Sequence, residues 1–140
     1  MATPPPADGA PGVLIVEDDT SLRRLIEMRL MVDGYVTRAA GDGVEALEVL
    51  GTWLPDVVIT DVMMPRLSGL SLCREMRAHP RTARIPVILL TACCFDADIQ
   101  AVIDLGGVAY MNKPFDARAL DSALRDALDG VPTAQPFAPM

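Results

Sequence analysis

The chain has 140 residues, of which 51% are hydrophobic and 4% aromatic, so it is long enough for one compact domain with a real core. The net charge of -7 argues against a nucleic-acid-binding protein, which would carry a basic patch. The apolar runs are too short to cross a bilayer, and residues 1–12 lack the regions of a signal peptide, so we expect a cytoplasmic protein.

The two ends of the chain differ in composition from the part between them. Residues 1–11 are rich in proline and alanine and are expected to form a disordered lead-in. Residues 130–140 carry three prolines and are expected to form a loose tail. The sequence therefore predicts one ordered domain over residues 12–129.

Five segments of this domain have the composition of strands. Uninterrupted apolar runs at 13–16, 57–60 and 87–90 are typical of strands that are buried on both faces of a parallel sheet. The weaker runs at 35–38 and 108–111 suit the edges of the same sheet.

Segments with helical spacing of apolar residues lie between and after the strands, and a shorter one follows Ser68. Thr20 or Ser21 can cap the first helix, and Gly34 and Gly130 stand where helices should end. The clearest stripes are Leu22, Leu25, Ile26 and Leu30; Val44, Leu47 and Leu50; Ile99, Val102 and Ile103; and Leu120, Leu124, Ala127 and Leu128. Five β–α units in succession predict an α/β fold with right-handed crossovers.

Polar residues follow four of the predicted strands. They are the acids Glu17, Asp18 and Asp19, the acid Asp61, the hydroxyl of Thr91 and the amine of Lys113. Binding sites in open parallel sheets form at the carboxyl ends of the strands, so these side chains are expected to share one cleft. Two carboxylates about 4 Å apart repel each other by roughly 4 kcal/mol, and a divalent cation relieves that repulsion. The set therefore predicts a magnesium site suited to phosphoryl chemistry.

A carboxylate can also act as a nucleophile and form an acyl phosphate, and Asp61 is the candidate. A hydrolase of this type would need a second acid two residues later for proton transfer, but the chain has Met63 at that position. Turnover of external phosphate esters is therefore expected to be negligible. His79 lies in a polar turn and is expected to be a surface residue.

With these residues in place, the chain resembles the receiver domain of bacterial two-component response regulators, and the match covers about residues 12–129. The matching motifs are Val-Glu-Asp-Asp at 16–19, Pro-Asp-Val-Val-Ile-Thr-Asp-Val-Met-Met-Pro at 55–65, Leu-Leu-Thr-Ala at 89–92 and Asn-Lys-Pro-Phe at 112–115. The resemblance implies a flavodoxin-like, doubly wound, five-stranded parallel sheet with strand order 2-1-3-4-5 and five helices.

The resemblance also implies roles for individual residues. Asp61 would be the phosphoacceptor, and Lys113 would contact the phosphoryl group. The peptide bond between Lys113 and Pro114 would be cis. Mg²⁺ (or Mn²⁺) would be bound by Asp18, by Asp61, by the backbone carbonyl of Met63 and, through water, by Glu17. Thr91 would be the switch hydroxyl and Tyr110 the switch aromatic.

The partners implied are a histidine kinase or histidine phosphotransfer protein as donor and a downstream protein that the sequence does not identify. The output face would be formed by the fourth helix, fifth strand and fifth helix, which could also mediate homodimerisation. Neither nucleic acid nor membrane is expected as a direct partner. The alternative is a receiver-like interaction module that works without phosphorylation.

The side chains two residues after Asp61 and Thr91 are Met63 and Cys93. In receiver domains these positions influence how fast the phosphoryl group is lost. Neither side chain orients an attacking water well, so we expect a long-lived phosphorylated state and only slow autodephosphorylation.

Overall fold

A computed structural model describes residues 10–92 and 97–130, with the backbone alone for Asp98. Over these residues the chain alternates strictly between strands and helices. The five strands are β1 (Gly12–Val16), β2 (Val36–Ala40), β3 (Val57–Asp61), β4 (Val87–Thr91) and β5 (Val108–Asn112). The five helices are α1 (Thr20–Val32), α2 (Gly43–Leu50), α3 (Gly69–Ala78), α4 (Ala97–Ile103) and α5 (Ala117–Leu128).

The strands form one parallel sheet in the order β2-β1-β3-β4-β5, as predicted. β2 and β5, the two runs with the weakest apolar pattern, are the edge strands. Residues of β1, β3 and β4 are buried along their whole length, because helices cover both faces of the sheet.

The core consists of two layers, one on each face of the sheet. One layer contains Ile26 and Leu30 of α1 together with Leu120 and Leu124 of α5. The opposite layer is formed by side chains of α2, α3 and α4, and it includes Tyr110 of β5. Successive side chains of each central strand pack alternately into the two layers. The sheet fixes the ends of the strands relative to each other.

The ends of α1 differ in part from the prediction. The N-cap is Asp19, whose side chain accepts hydrogen bonds from the amides of Ser21 and Leu22, whereas Thr20 is already helical. A carboxylate is a good cap because it also interacts favourably with the helix dipole. At the other end Gly34 has a φ of 95°, which agrees with its predicted place after the helix.

Leu25 does not belong to the buried stripe of α1 that the spacing predicted. Its relative exposure is 65%, whereas that of Ile26 is 2%. Met28 and Val32 continue the exposed apolar face.

Within residues 10–92 and 97–130, no helix combines the length and the apolar character needed to span a membrane.

Candidate phosphoacceptor and cation site

The register of the sheet brings the two predicted acid groups together. β1 and β3 are neighbours, and Val16 pairs with Thr60. The next residue on each strand is an acid, Glu17 on one and Asp61 on the other, and both side chains are buried. The carboxyl ends of the central strands thus place two carboxylates side by side.

Lys113, which follows β5, reaches both of these acids. Its Nζ lies 2.8 Å from Glu17 Oε1 and 2.9 Å from Asp61 Oδ2. The peptide between Lys113 and Pro114 is cis, as the resemblance implied. The remaining Glu17 oxygen, Oε2, accepts a hydrogen bond from the Asp19 amide at 3.1 Å. One ammonium group therefore bridges residues that are 52 and 96 positions away in the chain.

The electrostatics of the site reflect this crowding of charge. Burial raises the pKa of Glu17 from 4.5 to about 7, and repulsion from Asp61 adds to the shift, although hydrogen bonds from Lys113 and from the Asp19 amide oppose it. Burial also opposes the charge on Lys113, yet hydrogen bonds to both carboxylates leave its pKa above the ordinary value. Both shifts follow from the burial of two carboxyl groups beside one ammonium group.

Asp18 completes a group of carboxylates that could bind a cation. Oxygen atoms of Glu17, Asp18 and Asp61 all lie within 4.8 Å of one another, and Asp18 is exposed to solvent. Three hard oxygen donors, with access to water on one side, match the preference of Mg²⁺ for a few carboxylates and several retained waters. Mn²⁺ accepts the same donor set. The residues present therefore fit the cation that the sequence predicted.

Met63 begins the loop that follows the acceptor strand. Its amide donates a hydrogen bond to Asp61 Oδ1 at 3.2 Å, which orients the carboxylate. Met63 is 71% exposed to solvent. The role of its carbonyl as a cation ligand stays a prediction.

The two predicted switch residues lie on the neighbouring strands β4 and β5 but in different surroundings. Thr91 ends β4 and is buried, and its carbonyl accepts a hydrogen bond from the Lys113 amide at 2.7 Å. Tyr110 pairs with Leu89 on β4 and is buried in the core layer of α2, α3 and α4. The structure therefore places both residues in the strands that run into the site.

Sequence analysis missed Gly69, the first residue of α3. A Cβ at this position would collide with the carbonyl oxygen of Asp61 and would approach its carbonyl carbon to 2.9 Å. The Gly69 amide donates to the carbonyl of Val62, which closes the loop after β3. The pair Ser68-Gly69 is the sequence signal that could have revealed this contact. Ser68 caps α3, and a residue without a Cβ is needed where two backbones nearly touch.

Arg66 and Asp42 were also missed, and they make a salt bridge with 2.8 Å between Arg66 Nη2 and Asp42 Oδ2. This pair connects the loop after β3 to the start of α2. No short-range pattern reveals it, because the partners are 24 residues apart.

An apolar groove opens beside Lys113, with a volume of about 720 Å³. It lies between α1 and the start of α5 and is lined mainly by Leu22, Leu25, Pro114 and Phe115. The exposed side chain of Leu25 therefore forms part of a concave surface next to the site.

Comparison with known proteins decides the family. The sequence model of the family called response regulator receiver domain matches residues 13–125. The chain belongs to this family. It is thus a receiver domain of two-component systems, a regulatory phosphoacceptor domain rather than a conventional enzyme.

The relatives of this receiver domain include longer proteins. It is 41% identical over 116 residues to the probable transcriptional regulator ycf27 of Guillardia theta, covering 83% of this chain and 44% of that protein. It is 36% identical over 118 residues to the transcriptional regulatory protein AfsQ1 of Streptomyces coelicolor, covering 84% and 51%. The chain therefore spans about half the length of these curated relatives.

Solved structures agree with the observed fold. The chemotaxis protein CheY4 of Vibrio cholerae, crystallised at low pH, superposes with a TM-score of 0.80 at 29% identity, covering 86% of this chain and all of that one (100%). The receiver domain of the sensor histidine kinase PA1611 from Pseudomonas aeruginosa has a TM-score of 0.77 at 30% identity, with coverages of 86% and 99%. That structure has a magnesium ion coordinated in its active-site cleft.

Proposed function

We propose that this receiver domain is a phosphorylation-driven switch in which Asp61 accepts a phosphoryl group with the help of Mg²⁺. The observation that carries the proposal is the joint placement of Glu17, Asp18, Asp61 and Lys113 at the carboxyl edge of the sheet. The whole domain, residues 12–129, would act as one unit in soluble, cytoplasmic signalling.

The residues of the site would divide the work. Asp18, Asp61 and the Met63 carbonyl would hold the cation, and Glu17 would act through water. Lys113 would transfer its contact from the Asp61 carboxylate to the incoming phosphoryl oxygens. The cation, when bound, supplies positive charge to those same oxygens.

The transfer itself needs no other nucleophile. A carboxylate oxygen of Asp61 would attack the phosphorus of a phosphohistidine, so a P–O bond forms as the P–N bond breaks. The bonding electrons return to the imidazole nitrogen of the donor, and the ring leaves as neutral imidazole because its other nitrogen carries a proton. The product is an acyl phosphate on Asp61.

The donor would be a histidine kinase or a histidine phosphotransfer protein. The groove of Leu22, Leu25, Pro114 and Phe115 supports this, because it offers an apolar contact surface directly beside Lys113. A helical donor could bury its apolar face there while its phosphohistidine reaches Asp61.

Phosphorylation would be transmitted through Thr91 and Tyr110 to the surface of α4, β5 and α5. An added phosphoryl group offers oxygens that the Thr91 hydroxyl can contact, and Tyr110 lies on the neighbouring strand. The response would be a population shift between two packings, which a downstream protein or a second copy of the domain would recognise.

A phosphate analogue tests the switch directly. We expect beryllofluoride with Mg²⁺ to shift the amide resonances of Thr91, of Tyr110 and of the α4-β5-α5 surface. Beryllofluoride alone and Mg²⁺ alone should not shift the resonances of that surface. NMR spectra of the labelled full chain provide the measurement. A domain that binds partners without phosphorylation, the alternative function, would show no change at the distant surface.

The lifetime of the phosphorylated state is a second test. Met63 is exposed and carries no group that orients water, and Cys93, the other relevant residue, lies outside the described residues. We therefore expect the phosphoryl group on Asp61 to persist for longer than a few seconds after a small phosphodonor is removed. Rapid-quench sampling measures the decay, and loss of the label within a few seconds would contradict the expectation.

A further inference from the structure

The loop between Asp61 and α3 contains a strained turn. The Leu67 amide donates to the Pro65 carbonyl at 2.8 Å, and Arg66 between them has a φ of 66°. Among the described residues, Arg66 is the one non-glycine residue with a positive φ. A three-residue turn with this central conformation is rare, because the Cβ crowds the backbone. Something outside the loop must therefore stabilise it.

The side chain of Arg66 supplies a first anchor. Its Nε lies 2.9 Å from Asp42 Oδ2, and its Nη2 lies 3.1 Å from Asp42 Oδ1. Such two-point pairing fixes orientation as well as distance. Asp42 is itself held in place, because it is the N-cap of α2 and accepts a hydrogen bond from the Glu45 amide at 2.9 Å.

Close packing supplies a second anchor beside the first. A Cβ on Gly43, the first residue of α2, would lie 2.8 Å from the Cβ of Leu67 and closer still to its carbonyl oxygen. Leu67 and the start of α2 thus already fit against each other with no space to spare. The end of the loop is fixed to α2 by a side-chain pair and by a backbone contact.

The beginning of the same loop belongs to the cation site. Met63 donates its amide to Asp61, and only Met64 and Pro65 separate it from Arg66. A loop held at both ends restricts the directions in which the carbonyl of residue 63 can point. We propose that the pair Arg66–Asp42 is a latch that positions this loop for cation binding. This inference rests on the proposed function, since the cation is the Mg²⁺ assigned there.

The sign of the effect separates the latch from simple electrostatics. Removing Arg66 removes a positive charge from the surroundings of an acidic site, so Coulomb interactions alone predict tighter Mg²⁺ binding. Loss of a latch predicts weaker binding, because the loop then has to be ordered when the cation binds. The two explanations of a substitution at this position therefore differ in direction.

The experiment uses the full chain and measures Mg²⁺ affinity by calorimetry at physiological salt. For Arg66→Ala we expect the dissociation constant to rise about two- to tenfold, in line with an exposed ion pair that supports a metal site. Amide hydrogen exchange at residues 62–67 should accelerate, while the midpoint of thermal unfolding changes little. Arg81→Ala is the matched control, because Arg81 is an exposed arginine that contacts Gly51 far from the cleft.

Arg66→Gly separates the side chain from the backbone. Glycine adopts a positive φ without strain, so this variant should fold at least as well as Arg66→Ala. The latch predicts weakened Mg²⁺ binding here too. Unchanged or tighter binding in either variant overturns the latch, and so does an equal loss in Arg81→Ala. Absence of Mg²⁺ binding by the unsubstituted chain would instead refute the proposed function.

Discussion

Replacing Asp61 by asparagine is expected to abolish phosphorylation of this domain. Acetyl phosphate with Mg²⁺ should label the unsubstituted chain and leave Asp61→Asn unlabelled. An amide is a poor nucleophile and cannot form an acyl phosphate, so the loss should be complete rather than partial. Intact-mass spectrometry measures the added phosphoryl group directly.

The variant should remain folded, which makes the result interpretable. Asparagine keeps an oxygen that can accept the Met63 amide, and Lys113 retains its 2.8 Å contact with Glu17. Asp19→Asn is the matched control, because Asp19 is an exposed neighbouring acid whose capping role asparagine can take over. We expect Asp19→Asn to be labelled normally. Stoichiometric label on Asp61→Asn would remove Asp61 from its assigned role.

Replacing Gly69 by alanine is expected to destabilise the domain strongly, although alanine is the better helix former. Helix propensity alone predicts a gain, which is about 1 kcal/mol in a helix interior and smaller at this first position of α3. The new methyl group would however overlap the Asp61 carbonyl and lie 3.1 Å from the Val62 Cα, and neither backbone group can move without distorting the acceptor strand. Overpacking of this kind costs about 3 kcal/mol, so the net effect is destabilising.

Urea denaturation should show this loss in the free energy of unfolding. Gly41→Ala provides the control, because a Cβ there would meet only two side-chain tips at 3.7 Å. We expect Gly41→Ala to unfold within about 1 kcal/mol of the unsubstituted chain. If Gly69→Ala were as stable as Gly41→Ala, the close approach of α3 to Asp61 would not constrain the loop.

The sheet could be predicted because its signal is local. Apolar runs such as 57–60 and 87–90 are long enough, and sufficiently free of polar residues, to specify buried parallel strands, and polar residues at their ends mark the site. The switch from strand to helix spacing then gave five β–α units. The order of the strands came from family resemblance and is confirmed by the pairing of β1 with β2 and β3.

Two details of α1 were predicted wrongly, for different reasons. Leu25 was placed in the core because spacing does not specify how wide the buried face of α1 is, and the structure leaves Leu25 outside the core layer that contains Ile26 and Leu30. The cap of α1 was misplaced by one or two residues, since Asp19, Thr20 and Ser21 are all capable N-caps.

The sequence by itself determined the α/β class, the parallel sheet and the four strand ends that carry reactive groups, because hydrophobic periodicity and residue chemistry act over short stretches of chain. Only the tertiary structure decided which atoms meet: Lys113 between Glu17 and Asp61, Gly69 against the Asp61 carbonyl, and Arg66 on Asp42. Such contacts depend on distances between segments far apart in sequence, and those distances exist only once the sheet and its helices have packed together.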